Sequence, residues 1–584
     1  MSLISAEFQD RLRFEKRLRL LKWLAIFLFL ILFSRMAQWT ILRHRQYSEL
    51  ARNNYVHPQR LEAPRGQIFS RDGKPLAVNR LTYSIWVSPF RLSKEEMHKT
   101  IVYLEDVLGR DFSEKEESAL ALRPRWKWQL LARNLPMELA APILERKWEL
   151  PGIRITPDFK RYYPEGAVTA SVIGYVGRIS RERMSSYIEK GYTPDDLAGL
   201  AGIENSYEGL LRGEAGTEIV QRDAHGRYVD TLETSPAAPG HDLYLSLDLD
   251  FQKLAYYKLE GRHGVIIVMN PANGNVLVMT CYPTYDSNEP GAPPRPTRPV
   301  SYVNKAIQEN YPPASTFKLV TAMAGLDAGI NPQEEYDCEG SYILPEWKKP
   351  FTCELPTGHG RISMRNAIKE SCNVYFYQIA RKIGASRLLQ WAILFGYGLE
   401  TDIDLPYEVS GKLPLQSPDS IPPGELLYMS IGQGTISATP LQALISYCIF
   451  ANGGRLVQPH LLLHHKDAEG HRTELVPRTR DTTLPEESRR LIMEGLKGVV
   501  NSAGGTAFQA GFSKEWKAAG KTGTAERPGR ENDAWFICFA PYDAPEVAVL
   551  VLIEEGGYGG ATAAPLAREM LDYYFQNRVR LQSQ

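Results

Sequence analysis

Residues 23–42 restrict this chain more than any other stretch. From Trp23 to Phe33 the side chains are apolar without interruption. Continuation through Ser34, Arg35 and Met36 to Ile41 and Leu42 brings the segment to the roughly 20 residues that a bilayer-spanning helix needs. Arg11, Arg13, Lys16, Arg17, Arg19 and Lys22 crowd the sequence just before it. A cleaved signal peptide is the competing reading, but bulky Trp39 and Ile41 stand where the small residues of a cleavage site are wanted. An uncleaved anchor is therefore expected: residues 1–22 a cytoplasmic tail, 23–42 a single transmembrane helix, and the remainder on the outer side by the positive-inside rule. This places the chain in the cytoplasmic (inner) membrane with its bulk periplasmic or extracellular. Arg35 inside the span is costly. Either it snorkels toward the outer face or it meets a polar group on a partner's transmembrane helix.

The 584 residues exceed what one domain usually holds, and 43% hydrophobic with 23% charged residues excludes global disorder. Lys plus Arg and Asp plus Glu balance at 68 each, which gives no case for a nucleic-acid partner. Residues 43–235 read as mixed structure without a catalytic cluster, with a strand at 82–87 and a helix at 95–108. Pro, Gly and Asp cluster at 235–242 and suggest a boundary. Beyond it, 243–247 alternates like a strand and 250–259 looks helical. The β-branched runs 264–269 and 276–279 flank the turn residues 270–274, a hairpin pattern. Strands are expected again at 534–539 and 547–553, then a helix at 563–576. Strands at both ends of a helical stretch indicate an α+β domain whose sheet closes over a long helical insertion.

Three short motifs lie in that domain. Ser315 and Lys318 are spaced to share one face of a helix that begins just before the serine. A serine hydroxyl needs a base to become a nucleophile, and a desolvated lysine is able to be that base. Ser371 and Asn373 lie in a bend between helical runs at 364–370 and 374–382, where a hydroxyl and an amide point into one cleft. Lys521, Thr522, Gly523 and Thr524 lead toward the strand at 534–539. Their ammonium and hydroxyls suit a carboxylate, and Gly523 would let a substrate backbone pass close to the strand edge.

Each motif alone is weak, but the order S-x-x-K, S-x-N, K-T-G in one domain resembles the penicillin-binding proteins. Cys372 stands where the middle motif more commonly has Asp. The resemblance covers nearly the whole chain. Residues 65–73, 161–164 with 173–177, and 199–204 with Tyr207 and 211–213 resemble three blocks of the class B pedestal. Residues 431–434 and 439–442 resemble further blocks of the catalytic domain. A β-lactamase would have no pedestal, and no glycosyltransferase domain precedes it as in class A members. The resemblance implies a penicillin-binding/β-lactamase-like transpeptidase domain at 240–577, an antiparallel sheet with a helical subdomain. It would stand on an elongated α+β pedestal at 43–235, behind one transmembrane helix. It implies that Ser315 attacks D-Ala-D-Ala to form an acyl-enzyme, with Lys318 as general base. Ser371 would relay a proton to the leaving amine, and Asn373 would position Lys318 and the substrate amide. Lys521 would supply positive potential, and Thr522 and Thr524 would hold the terminal carboxylate beside Gly523. Backbone N–H groups of Ser315 and Thr524 would form the oxyanion hole.

Cys338, Cys353, His359 and Cys372 form a second constellation, in a region rich in Gly and Pro. Three thiolates and an imidazole make a structural zinc set. A Cys338–Cys353 disulfide and plain reduced cysteines are the alternatives. The resemblance favours zinc, because some elongation-type class B members carry zinc ligands of varied type around a Gly-His-Gly, here residues 358–360. Expected partners are peptidoglycan stem peptides, β-lactams, a SEDS-family glycosyltransferase and other elongation-complex membrane proteins. The rival readings are a division-specific class B transpeptidase, a D,D-carboxypeptidase, and a scaffold that chiefly activates the glycosyltransferase.

Overall fold

The computed structural model describes residues 3–87, 94–109, 111, 128–150, 152–194, 196–222, 228–293, 300–345, 347, 350–415, 418–482 and 484–578. One helix, Leu3–Ala37, runs through the apolar segment and widens into a π-type turn at Gln38–Leu42. The helix is long and apolar enough to cross a membrane, and its apolar part lies in residues 23–42, behind the charged stretch at 15–22. Its large side chains stand exposed, Phe29 at 76% and Phe33 at 71%. Arg35 turns toward the C-terminal end of the span: Nη1 donates to Gln38 Oε1 at 2.6 Å and the guanidinium lies 5.4 Å from the Trp39 ring centre. That is the geometry of a snorkelling side chain.

In the pedestal the strand Pro75–Val87 is longer than the alternation at 82–87 indicates. It pairs antiparallel with Ile153–Tyr162 along its length and with Gln129–Leu135. Ile85, Val87, Ile101, Leu104, Ile143 and Ile153 pack one core there, which includes the helix Lys94–Leu108.

The turn-rich stretch at 235–242 is no free linker. The strand Asp242–Leu245 pairs parallel with Ile68–Phe69 of the pedestal and antiparallel with Leu462–Lys466 of the catalytic domain, so one sheet passes through both units. The glycines there answer a close crossing of backbones. A Cβ on Gly66 would lie 1.9 Å from His241 O, and one on Gly240 would lie 2.0 Å from Leu211 O.

The three pedestal segments that carry the family likeness meet at Glu204, whose side chain is fully buried. Arg65 Nε donates to Glu204 Oε2 and Arg161 Nε donates to Glu204 Oε1, both at 2.7 Å, and Arg65 Nη2 donates to Glu208 Oε2 at 2.6 Å. Burial alone would raise the Glu204 pKa, but the two guanidinium groups outweigh it and hold the carboxyl below its usual value. Removing the carboxylate would leave Arg161 buried without its anion. Glu204→Ala is therefore expected to destabilise the pedestal by about 3–5 kcal/mol, measured as a lowered unfolding midpoint in thermal denaturation.

The catalytic domain is built on a five-stranded antiparallel sheet. Its order is Val276–Tyr282, Gly264–Met269, Val547–Ile553, Asp533–Ala540, Ala519–Ala525. The chain's two early strands thus join the two expected late ones, and Ala519–Ala525 adds a fifth strand that was not expected. Every residue of Asp533–Ala540 and Val547–Ile553 is buried, because both faces are covered. Phe536, Val549 and Val551 face the helices Leu249–Leu259 and Gly559–Gln576, while Trp535, Ile537 and Leu550 face the helical insertion. Ala519–Ala525 is the edge strand and packs against the turn that carries Ser315.

Candidate active site

Ser315 lies in a 3₁₀ turn, Ala314–Phe317, that runs into the helix Lys318–Asp327. Ala314 is held at φ +49°, in the left-handed region that alanine rarely adopts. Its N–H donates to Gly432 O at 2.9 Å. A Cβ on Gly432 would lie 2.3 Å from Ala314 O and 2.6 Å from Phe317 Cβ, so only glycine lets this backbone meet the serine turn. Tyr447 Oη donates to Thr316 O at 2.8 Å from the other side. Tyr447 belongs to the buried helix Pro440–Ala451, opened by a capping box between Thr439 and Gln442. The family-like segments at 431–434 and 439–442 thus brace the strained turn. Ser315 is half-buried, and among the described residues its hydroxyl has no hydrogen-bond partner.

Lys318 is fully buried, and its Nζ donates to Ser371 O at 2.7 Å, Ser371 Oγ at 3.2 Å and Asn373 Oδ1 at 2.6 Å. Lys521 Nζ approaches the same hydroxyl at 2.8 Å. Ser371 Oγ therefore bridges two buried amines, helped by its own backbone at φ +59°. Burial pushes the Lys318 pKa down to about 8, opposed by the nearby Glu354, Cys353 and Cys372. Lys521 is lowered as well, by burial and then by the charge of Lys318. Two ammonium groups on one hydroxyl repel, so the pair gives up its first proton easily.

The third motif lies within a strand instead of leading to one. Lys521 and Gly523 stand opposite Ile537 and Trp535, on the face toward Ser315. Thr522 and Thr524 stand opposite Phe536 and Ala534, on the face toward the helix Gly559–Gln576. Gly523 also sits close to the serine turn. A Cβ there would lie 3.0 Å from Trp535 Cβ and 3.1 Å from Thr316 Cγ2. The glycine leaves room for the nucleophile turn to pack on the strand. Ser315, Lys318, Ser371, Asn373 and Lys521 thus gather on one side of the edge strand, with Thr522 and Thr524 on the other. Thr506, which sequence reasoning missed, places its Oγ1 2.6 Å from Thr522 Oγ1.

Cys338, Cys353, His359 and Cys372 also converge, with one ligand atom from each all within 4.8 Å of one another. His359 Nδ1 lies 3.5 Å from Cys338 Sγ and 3.6 Å from Cys353 Sγ, and Cys353 Sγ lies 4.0 Å from Cys372 Sγ. A tetrahedral ion with Zn–S of about 2.3 Å and Zn–N of about 2.0–2.1 Å needs S···N edges of about 3.6 Å and S···S edges of about 3.8 Å. All six cysteines are free thiols. The Asn373 N–H donates to Cys353 Sγ at 3.3 Å and the Tyr375 N–H to Cys372 Sγ at 3.4 Å, so the first turn of the helix Asn373–Leu394 points amides at two sulfurs. The Cys372 thiol, and after it the His359 ring, pushes the Cys353 thiol well down, and the Cys353 sulfur raises His359 to about 9.

Residues 264–572 match the penicillin binding protein transpeptidase domain, and residues 60–245 match the penicillin-binding protein dimerisation domain. The chain belongs to the penicillin-binding proteins. The peptidoglycan D,D-transpeptidase MrdA of Acinetobacter baumannii is 32% identical to this penicillin-binding protein, over 98% of this chain and 89% of that one. The solved complex of PBP2 with MreC from Helicobacter pylori is similar with a TM-score of 0.76 at 26% identity, covering 89% of this chain and 99% of that one. A chain of a peptidoglycan synthase complex that coordinates polymerization and crosslinking is similar with a TM-score of 0.70 at 27% identity, covering 96% of this chain and 98% of that one. Within the penicillin-binding proteins the likeness therefore runs to the MrdA and PBP2 members along nearly the whole length.

Proposed function

We propose that the chain is a serine-type peptidoglycan D,D-transpeptidase of wall elongation, acting through an acyl-enzyme on Ser315. The observation that carries this reading is the Ser371 hydroxyl shared by two buried lysines beside the Ser315 turn. Neutral Lys318 takes the proton as Ser315 Oγ attacks the carbonyl of the penultimate D-Ala. The tetrahedral adduct collapses as the peptide C–N bond breaks, and Ser371 hands a proton to the departing D-Ala nitrogen. An amine of a second stem peptide then attacks the ester and releases Ser315. β-Lactams enter the first half of this sequence and stop at the ester. Asn373 Oδ1 holds Lys318 in place throughout.

Zinc fits the Cys338, Cys353, His359 and Cys372 set by donor chemistry and by the spacings above. When bound it supplies cross-linking of the insertion to the catalytic loop, with no part in the bond changes. The amides of Asn373 and Tyr375 that hydrogen-bond the sulfurs tie Ser371 and Asn373 to that centre. The apolar helix serves as a single-pass anchor of the cytoplasmic membrane, with the N-terminus in the cytoplasm and the catalytic domain outside. A membrane glycosyltransferase of the SEDS family and elongation-complex membrane proteins are its partners. The likeness to PBP2 bound to MreC and to a peptidoglycan synthase complex supports this.

Product analysis with both water and an amine acceptor present tests the reaction. Cross-linked dimer as the main product supports the transpeptidase, and free tetrapeptide alone would point to a carboxypeptidase.

A further inference from the structure

We propose that the C-terminal end of the apolar span binds the headgroup phosphate of an anionic phospholipid, with Arg35 as the central ligand beside Trp39 and Tyr47. The inference rests on the single-pass anchor above and goes beyond it. From Trp23 to Ser48 the sequence holds Arg35, Arg43 and Arg45 but no Asp or Glu. Arg43 and Arg45 are exposed, and among the described residues neither meets a carboxylate. The basic cluster at 11–22 already orients the span, so the positive-inside rule disfavours further arginines at its other end. Arg35 is the costliest of the three, because it interrupts the apolar run. Its partner within the chain is a neutral one, Gln38 Oε1 at 2.6 Å. Three guanidinium groups without an anion of their own take their counter-charge from outside the chain.

The Cα–Cβ bonds of a helix tilt toward its N-terminus, yet the Arg35 side chain bends toward the C-terminal end. Its guanidinium lies 5.4 Å from the centre of the Trp39 ring, and Trp39 meets Tyr47 edge-on with 6.4 Å between ring centres. Nη1 is taken by Gln38, which leaves the Nε and Nη2 edge of the fork for two phosphate oxygens. Between the two aromatic residues the helix widens at Gln38–Leu42, where the Arg43 N–H donates to Gln38 O at 2.9 Å. Turns of this type are frequent at functional sites. Trp39, Thr40, His44, Tyr47 and Ser48 line an open recess of about 470 Å³ there. Trp and Tyr settle at the level of lipid headgroups. An anionic lipid brings net negative charge to this basic setting, whereas a zwitterionic one brings its own cation as well, so the site selects the anionic class. The helix His44–Tyr55 leads directly into the strand Val56–Leu61, so a lipid held here sets the depth of the anchor where the chain turns toward the pedestal.

The test places the full chain in phosphatidylcholine vesicles with a trace of phosphatidylglycerol that carries a photoreactive group on its headgroup. The same group on phosphatidylcholine is the comparison, and peptide mass spectrometry locates the cross-links. The phosphatidylglycerol probe is expected to label residues 39–48 well above the phosphatidylcholine probe. Arg35→Gln should lower that labelling about fivefold, the weight of one arginine at an anionic surface, and leave labelling near the basic cluster at 11–22 unchanged. Arg35→Leu, which leaves the span uninterrupted, is read in the same way if Arg35→Gln does not insert. Soluble glycerol phosphate is not expected to compete; displacement by it would make this a site for a free anion and overturn the assignment to a lipid. Equal labelling of 39–48 by both probes, or wild-type labelling in the Arg35 variants, overturns the proposal. Wild-type labelling in Arg35→Gln together with loss of the co-purifying membrane glycosyltransferase would give the arginine to a partner's helix. A wild-type chain that leaves the membrane in an alkaline wash would reject the anchor reading, and the lipid site with it.

Discussion

Replacing Lys318 with methionine is expected to slow acylation of Ser315 by about 10²–10⁴-fold, the range for loss of a positioned general base. Methionine keeps an unbranched chain of similar length in the buried slot but has no amine. The effect goes beyond a lost base, because Lys318 also holds Ser371 and Asn373 through three hydrogen bonds. The pH dependence separates the two contributions. Burial lowers the Lys318 pKa to about 8, so the amine is mostly protonated below that value and neutral above it. Wild-type acylation should rise about tenfold per pH unit below 8 and level off above it. In Lys318→Met the residual rate should lose this limb. A pH–rate profile of β-lactam acylation reads both. A wild-type profile flat from pH 6 to 9 would mean that Lys318 is not the base.

The second large effect concerns the cysteine centre. Cys353→Ser is expected to reduce bound zinc from about one ion per chain to near zero, because structural zinc sites of this type need all four ligands. Elemental analysis measures this. Structural zinc supplies folding free energy on the order of 10 kcal/mol in small metal-dependent domains. The insertion should therefore loosen, seen as faster amide exchange around 336–362. Acylation should fall with it, because the Asn373 N–H loses its sulfur acceptor and Ser371 sits next to Cys372. Exchange in the pedestal strand Pro75–Val87, which packs in a core of its own, should stay unchanged. Wild-type protein that is metal-free and equally protected would remove the centre from the account.

Much of this was legible in the sequence, for reasons that differ from residue to residue. Ser315 and Lys318 were readable because three-residue spacing fixes a shared face on any helical turn. The buried strands at 534–539 and 547–553 were readable as continuous apolar runs, since both their faces are covered. The edge strand Ala519–Ala525 was not, because Ala-Gly-Lys-Thr-Gly-Thr-Ala has neither alternation nor a β-branched run, and tertiary packing decides its conformation. The packing at Gly523 was hidden for a related reason: what its missing side chain makes room for, Thr316 and Trp535, lies far away in sequence or across the sheet. Thr506 escaped notice because nothing local distinguishes a threonine after two glycines. The strand Asp242–Leu245 shows the limit of composition as a boundary marker, since a Pro- and Gly-rich stretch here prepares a close backbone crossing and not a loose joint.

Intact-protein and peptide mass spectrometry after treatment with a penicillin tests the central claim most directly. The account predicts one covalent adduct per chain, located on Ser315, and none in Ser315→Ala. An adduct on any other residue, or no adduct on the folded wild-type protein, would contradict it.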